Sequence, residues 1–159
     1  MKGSVIMLLL IGFWQGSILG LDHSYRVFDE ILKEAVVPDG PKSRVRYGWV
    51  KSNVSKLDSY LAEVEEVTRT QYNRWSLERK LAFLINAYNA LTIKLILTKY
   101  PDLKSIKDLG GFFSGPWRVR FFTLFGEKQH LDHIEHGILR KEFSEPRIHF
   151  VLVCASIGC

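Results

Sequence analysis

Cysteine is nearly absent: the chain of 159 residues has two, Cys154 and Cys159, both at its far end. That excludes a disulfide scaffold, which staples a small fold with several bridges. Glycine and proline number 12 and 5, too few for a collagen-like chain. Internal repeats and low-complexity tracts are missing. A strong excess of one charge is missing too. The 22 Lys and Arg face 17 Asp and Glu, a net of +5, and they are spread along the chain, a weak signal for a nucleic-acid or other anionic partner. What is present is apolar and aromatic material, 47% and 13% of the chain, which excludes disorder and suits one domain of ordinary size.

The first twenty residues carry Lys2, then an apolar run from Val5 to Trp14, then small residues around Gly16, Ser17 and Gly20. A short positive end, a brief apolar segment and a small-residue tail predict a secretory signal peptide over residues 1–20, cleaved between Gly16 and Gly20. The run is too short to span a bilayer. The alternative is an uncleaved N-terminal anchor. Export, to a periplasm or the exterior, makes Cys154 and Cys159 an oxidisable pair.

Apolar residues at helical spacing predict a helix over 23–36 (Tyr25, Phe28, Ile31, Leu32, Ala35), ended by the stretch 37–41, and another over 54–67 (Leu57, Tyr60, Leu61, Val64, Val67). Ser76 is placed to cap a long helix over about 77–99, apolar on nearly every side and stopped by Tyr100-Pro101. It reads as a buried central helix and not as a membrane span, so none is expected in the mature chain. Residues 119–125 and 128–131 read as a small antiparallel hairpin turning at Gly126-Glu127 in a type II′ turn. Asp132-His133-Ile134-Glu135 reads as a capping box opening a helix to about Phe143. Ile148 to Cys154 reads as a C-terminal strand. The expected fold is α+β: a helix-rich single domain over 21–159.

Chemistry-bearing residues concentrate near the end of the chain. On a helical wheel of about 100° per residue, Glu135 falls inside the apolar stripe of Ile134, Ile138, Leu139 and Phe143, so its carboxylate must be capped, paired or bound. His136 lies at the edge of that stripe, near Arg140. His149 interrupts the apolar strand. Strand alternation puts it on the face opposite Cys154 and about 17 Å away, which leaves His136 as the better base for Cys154. Small residues after Cys154, Ser156 among them, could aim backbone amides at an anion or oxyanion, or form an ordinary turn. Asn86 and Asn89 share one side of the central helix, where two amides would hold a neighbouring loop or strand. The spacing H-x4-C-x4-C from His149 matches no common zinc pattern, and neither metal nor cofactor is expected.

Four runs belong together: Leu81–Thr92 (LAFLINAYNALT), Pro116-Trp117, Leu131–Arg140 (LDHIEHGILR) and Pro146–Cys159 (PRIHFVLVCASIGC). With them the chain, over about 45–159, resembles a widespread domain family of unknown function. Its members include exported bacterial proteins, plant proteins with an N-terminal leucine zipper and animal proteins fused to a glutaredoxin-like domain. The resemblance marks Asn86, Asn89, Glu135, His136, Arg140, Arg147, His149, Cys154, Ser156 and Cys159 as motif residues and brings no activity with it. Such proteins continue past the final cysteine, so the domain is expected to be truncated at its C-terminal end. Three readings stand. The first is an exported thiol-dependent hydrolase or acyl transferase, with Cys154 as nucleophile, His136 as base, Glu135 or an Asn orienting the base, and Arg140, Arg147 and Ser156 binding substrate. The second is a non-catalytic binding or scaffold module, partner unknown, whose polar residues form a structural network. The third is a redox role for the C-x4-C pair, which is not the CxxC of thioredoxin-like proteins.

Overall fold

Ser76 and the apolar residues after it build the element around which everything else packs. The Ser76 hydroxyl accepts the Arg79 N–H at 3.4 Å, and helix α5 runs from Leu77 to Leu97. The computed structural model describes residues 21–40, 42–110 and 115–153. The leader 1–20, Cys154, Ser156 and Cys159 lie outside the described residues.

Ahead of α5 come helix α1 (Arg26–Ala35), a hairpin of β1 (Val36–Asp39) with β2 (Lys42–Val45), and helices α2 (Tyr47–Ser52), α3 (Val54–Glu66) and α4 (Arg69–Asn73). After it come two 3-10 turns (Ile106–Leu109 and Pro116–Arg118) and a second hairpin, β3 (Phe122–Leu124) with β4 (Glu127–Gln129). A π-helix (His133–Leu139), one α-turn α6 (Arg140–Glu142) and a short helix α7 (Ile148–Val151) complete the described chain. The class is α+β, with both hairpins antiparallel. Helix α5 is long and apolar enough to cross a membrane, yet more than half of its apolar window is buried by the protein itself. Helix α3 and the π-helix pack against it, and α1 packs on α3. Phe28, Ile31, Leu57, Tyr60, Val64, Phe83, Leu84, Leu124, Ile134 and Leu139 meet in one core, each worth roughly 1.5–3 kcal/mol of burial when fully covered.

Three expectations are corrected. The stretch after α1 does not simply end a helix: residues 36–39 pair with 42–45 as an antiparallel hairpin, and Gly40 has φ 62. The second hairpin turns one residue earlier than the sequence suggests. Leu124 pairs with Glu127, and Phe125 (φ 54) and Gly126 (φ 82) occupy the turn, two positive φ values that make it type I′. The Phe125 ring decides this. It lies 4.9 Å from the Tyr72 ring, with the Arg69 guanidinium 3.8 Å over its face, contacts that offset a left-handed non-glycine residue.

The third correction is the C-terminal strand, which is a helical turn over Ile148–Val151. Among the described residues no strand lies beside it to supply a ladder, so the backbone bonds locally: Ile148 N–H to Glu145, Phe150 N–H to Arg147 and Leu152 N–H to Ile148. A helical turn puts Ile148 and Leu152, four apart, on one buried face. The apolar run thus obeys the helix spacing over a segment too short for periodicity to separate the two structures.

Candidate functional site

The capping box at Asp132 does not form. Asp132 makes no side-chain cap bond. His130 takes that role, its Nδ1 accepting the His133 N–H at 3.1 Å. The helix that follows is wound in the π register: the Arg140 N–H reaches back to the Glu135 carbonyl, five residues earlier. Gly137 permits this close winding. A Cβ there would sit 2.6 Å from Nδ1 of the His133 ring. Burial, aided by the neighbouring His130 and Arg69, holds the His133 imidazole below its ordinary 6.5.

The π register creates a pair that an α-helix would not. Residues five apart come together across one wide turn, and Arg140 grips Glu135 through Nη2 at 2.8 Å and Nε at 3.3 Å. Glu135 is largely covered, with 18% of its side chain exposed. The sequence placed it in the apolar stripe, and it is indeed mostly buried, but its partner is Arg140 and not the cap backbone. His136 is 54% exposed, with Nε2 3.7 Å from Asp132 and 3.9 Å from Glu135. Asp132 in turn faces Arg118 at 3.6 Å. A string of polar side chains within 4 Å of one another therefore runs Arg118, Asp132, His136, Glu135, Arg140.

Helix α5 ties this string to the C-terminal segment through consecutive residues. Burial pushes the Tyr88 phenol above its ordinary range, and the carboxylates of Glu135 and Asp132 push it the same way. The next residue, Asn89, donates from Nδ2 to the Val151 carbonyl at 3.0 Å and accepts the Val153 N–H at its Oδ1 at 2.9 Å. Its amide acts as a one-residue strand partner for backbone that has no ladder of its own. The expectation that an Asn holds a neighbouring segment is met by Asn89. Asn86 is half-buried, and its side chain makes no hydrogen bond to another described residue.

His149 is not a strand residue. It is exposed on α7, so the alternation that set it opposite Cys154 does not apply. With Arg140, Phe143, Ser144, Pro146 and Ile148 it lines a cleft of about 280 Å³. Glu145 also borders the cleft. Arg147 holds it through Nη2 at 2.5 Å and Nε at 2.8 Å, which lowers the Glu145 carboxyl from 4.5 to about 2. Arg147 is thereby committed to its neighbour two residues away.

The structure thus brings Glu135, His136 and Arg140 together, places Arg140 and His149 in the lining of one cleft and fixes residues 151–153 to Asn89. Asp132, Arg118 and Tyr88 are additions that sequence reasoning missed. Asp132 was visible only as a cap, and nothing local marks Arg118 as its partner. Among the described residues no three His, Cys, Asp or Glu side chains stand where one metal ion could bind them. Comparison with curated proteins and with solved structures returns no match. A family model described as proteins of unknown function, DUF547, matches residues 72–159 and so covers α5, the second hairpin, the π-helix and the C-terminal segment, and the chain belongs to that family.

Proposed function

We propose that the protein is an exported thiol-dependent hydrolase or acyl transferase, with Cys154 as nucleophile and His136 as general base. The observation that carries this reading is the Asn89 clamp. It fixes Val153, the residue before Cys154, to α5, the helix on which the π-helix carrying His136 also packs. A nucleophile profits from backbone held in one place on a rigid element. His136 is accessible, and carboxylate oxygens of Asp132 and Glu135 stand 3.7 and 3.9 Å from its Nε2, acidic neighbours of the kind that accompany a general base. In the reaction His136 takes the thiol proton and the thiolate sulfur bonds to the acyl carbon of an ester or amide. The leaving group departs with the proton returned by His136. Water, or a second acceptor, then releases the acyl group from sulfur by the same proton exchange. Export rests on the leader at residues 1–20, and N-terminal sequencing of secreted material checks it.

The test uses the full chain and a small acyl-directed electrophile, read by intact mass and peptide mapping. One label is expected at Cys154, absent in Cys154→Ser and slowed about 100-fold or more in His136→Ala, with an unchanged melting temperature in both. A Cys154 that labels no faster than a free thiol, or that is indifferent to His136, overturns the reading.

A non-catalytic binding module is favoured by a different observation. Phe150 is 83% exposed, with Val151 and Val153 exposed beside it. Exposed apolar side chains in one segment suit a contact surface.

A further inference from the structure

The cleft beside α7 has one feature the catalytic reading does not use. Its lining includes the apolar Phe143, Pro146 and Ile148, while its polar groups differ in how far they are already engaged. Glu145 is bound in a fork by Arg147 and stays ionised down to about 2. Arg140 is oriented but not consumed. Glu135 engages its Nε and Nη2 from one side, which locks the guanidinium plane; among the described residues nothing else accepts from it, which leaves Nη1 and the second Nη2 hydrogen for a ligand. His149 and Ser144, both exposed, add an imidazole and a hydroxyl to the same cleft.

A preoriented guanidinium with spare donors, sharing a cleft with an imidazole and apolar side chains, has the chemistry of a carboxylate receptor. The volume, about 280 Å³, is small for a ligand pocket and suits a group of one or two amino-acid residues. We infer that this cleft binds a carboxylate carried on a short apolar stem, with the anion on Arg140 and His149 and the stem over Phe143, Pro146 and Ile148. The inference rests on the acyl-transfer reading for its role: it gives the substrate class as acyl compounds bearing such a carboxylate, bound five residues upstream of Cys154. The binding itself does not depend on that reading.

Three ligands separate the terms: N-acetyl-leucine, its carboxamide, and a tripeptide ending in leucine. Each is titrated into full-length Cys154→Ser protein and followed by calorimetry and by backbone NMR. Working in Cys154→Ser removes thiol chemistry, so a failure of the catalytic reading leaves this result standing, and the reverse. N-acetyl-leucine is expected to bind about ten-fold more tightly than the carboxamide, with shifts at residues 140–149. That preference should fall several-fold in His149→Gln, an exposed site where folding is not at risk, and vanish in Arg140→Gln. Arg140→Lys, which keeps the charge but not the fork, should retain part of it. Tighter binding of the tripeptide assigns the carboxylate to a peptide terminus, and equal binding assigns it to a small acylated amino acid. Equal affinity for acid and carboxamide, a preference that survives both His149→Gln and Arg140→Gln, or no binding of either ligand at 10 millimolar overturns the inference.

Discussion

Asn89 shows how much one side chain can decide. Its amide presents a donor and an acceptor in the spacing of a strand backbone, and both are used, on Val151 and Val153. Replacing Asn89 by Ala removes two hydrogen bonds whose backbone partners water can partly satisfy, so the cost is about 1–2 kcal/mol. Asn89→Asp should do no better, because a carboxylate can still accept from Val153 but repels the Val151 carbonyl. Loss of amide hydrogen-exchange protection at Val153 in both variants checks this, and retained protection refutes it. Arg147 acts locally instead. It lowers the Glu145 carboxyl to about 2 from an ordinary 4.5. The folded value lies below the unfolded one, so this pair favours the folded turn above about 4.5 and ceases to as pH falls towards about 2. An NMR titration of Glu145 should show the low midpoint, and Arg147→Gln should raise it towards the ordinary carboxylate range, short of a full return because the N–H of residue 147 still donates to the carboxylate. A sequence can nominate Asn89 and Arg147 as polar residues that need partners. It cannot say that Arg147 spends its fork two residues away while Asn89 reaches across more than sixty.

At the scale of elements, long periodic segments were legible and short ones were not. The expected apolar positions of α3, Leu57, Tyr60, Leu61, Val64 and Val67, are all buried, and Ser76 caps α5 as its side chain requires. These segments run long enough for spacing to be decisive. The π-helix is a different case. Its residues read as an α-helix opened by Asp132, because the π register has no periodic signature over seven residues, and the cap came from His130, which no capping rule ranks highly. Gly137 carries the one local sign. In an α-helix, Gly→Ala stabilises by up to about 1 kcal/mol. Here the added Cβ meets the half-buried His133 ring at 2.6 Å, so Gly137→Ala should destabilise by about 1–3 kcal/mol as an overpacked site does. His133→Ala vacates that space. The double variant should therefore be more stable than the sum of the two single changes, a coupling readable from three melting curves. Additive effects would mean that the ring does not set the winding.

Across the whole molecule the site is assembled from a rigid half and a lightly held half. The π-helix and its charges sit on α5 through Ile134, Ile138 and Leu139, all buried in the main core. Among the described residues, the C-terminal segment 145–153 joins the same core only through Ile148 and Leu152, with the Asn89 clamp between helix and backbone, while Phe150, Val151 and Val153 are exposed. Few buried contacts mean a low free energy of local opening. A substitution within such a segment can cost the global fold no more than the segment's own attachment contributes, because beyond that point the segment opens and the rest remains. Phe83, fully buried beneath Tyr72, Trp75 and Phe125, has no such limit, and Phe83→Ala should lower global stability by about 3–5 kcal/mol. Ile148→Ala removes a comparable buried group, yet it should shift the main melting transition little. Its effect should appear as faster hydrogen exchange and earlier protease cleavage confined to residues 145–153, with α5 amides exchanging at the wild-type rate. If Ile148→Ala instead lowers the melting temperature as Phe83→Ala does and speeds exchange throughout α5, the segment is part of one cooperative core, and the site is rigid on both sides.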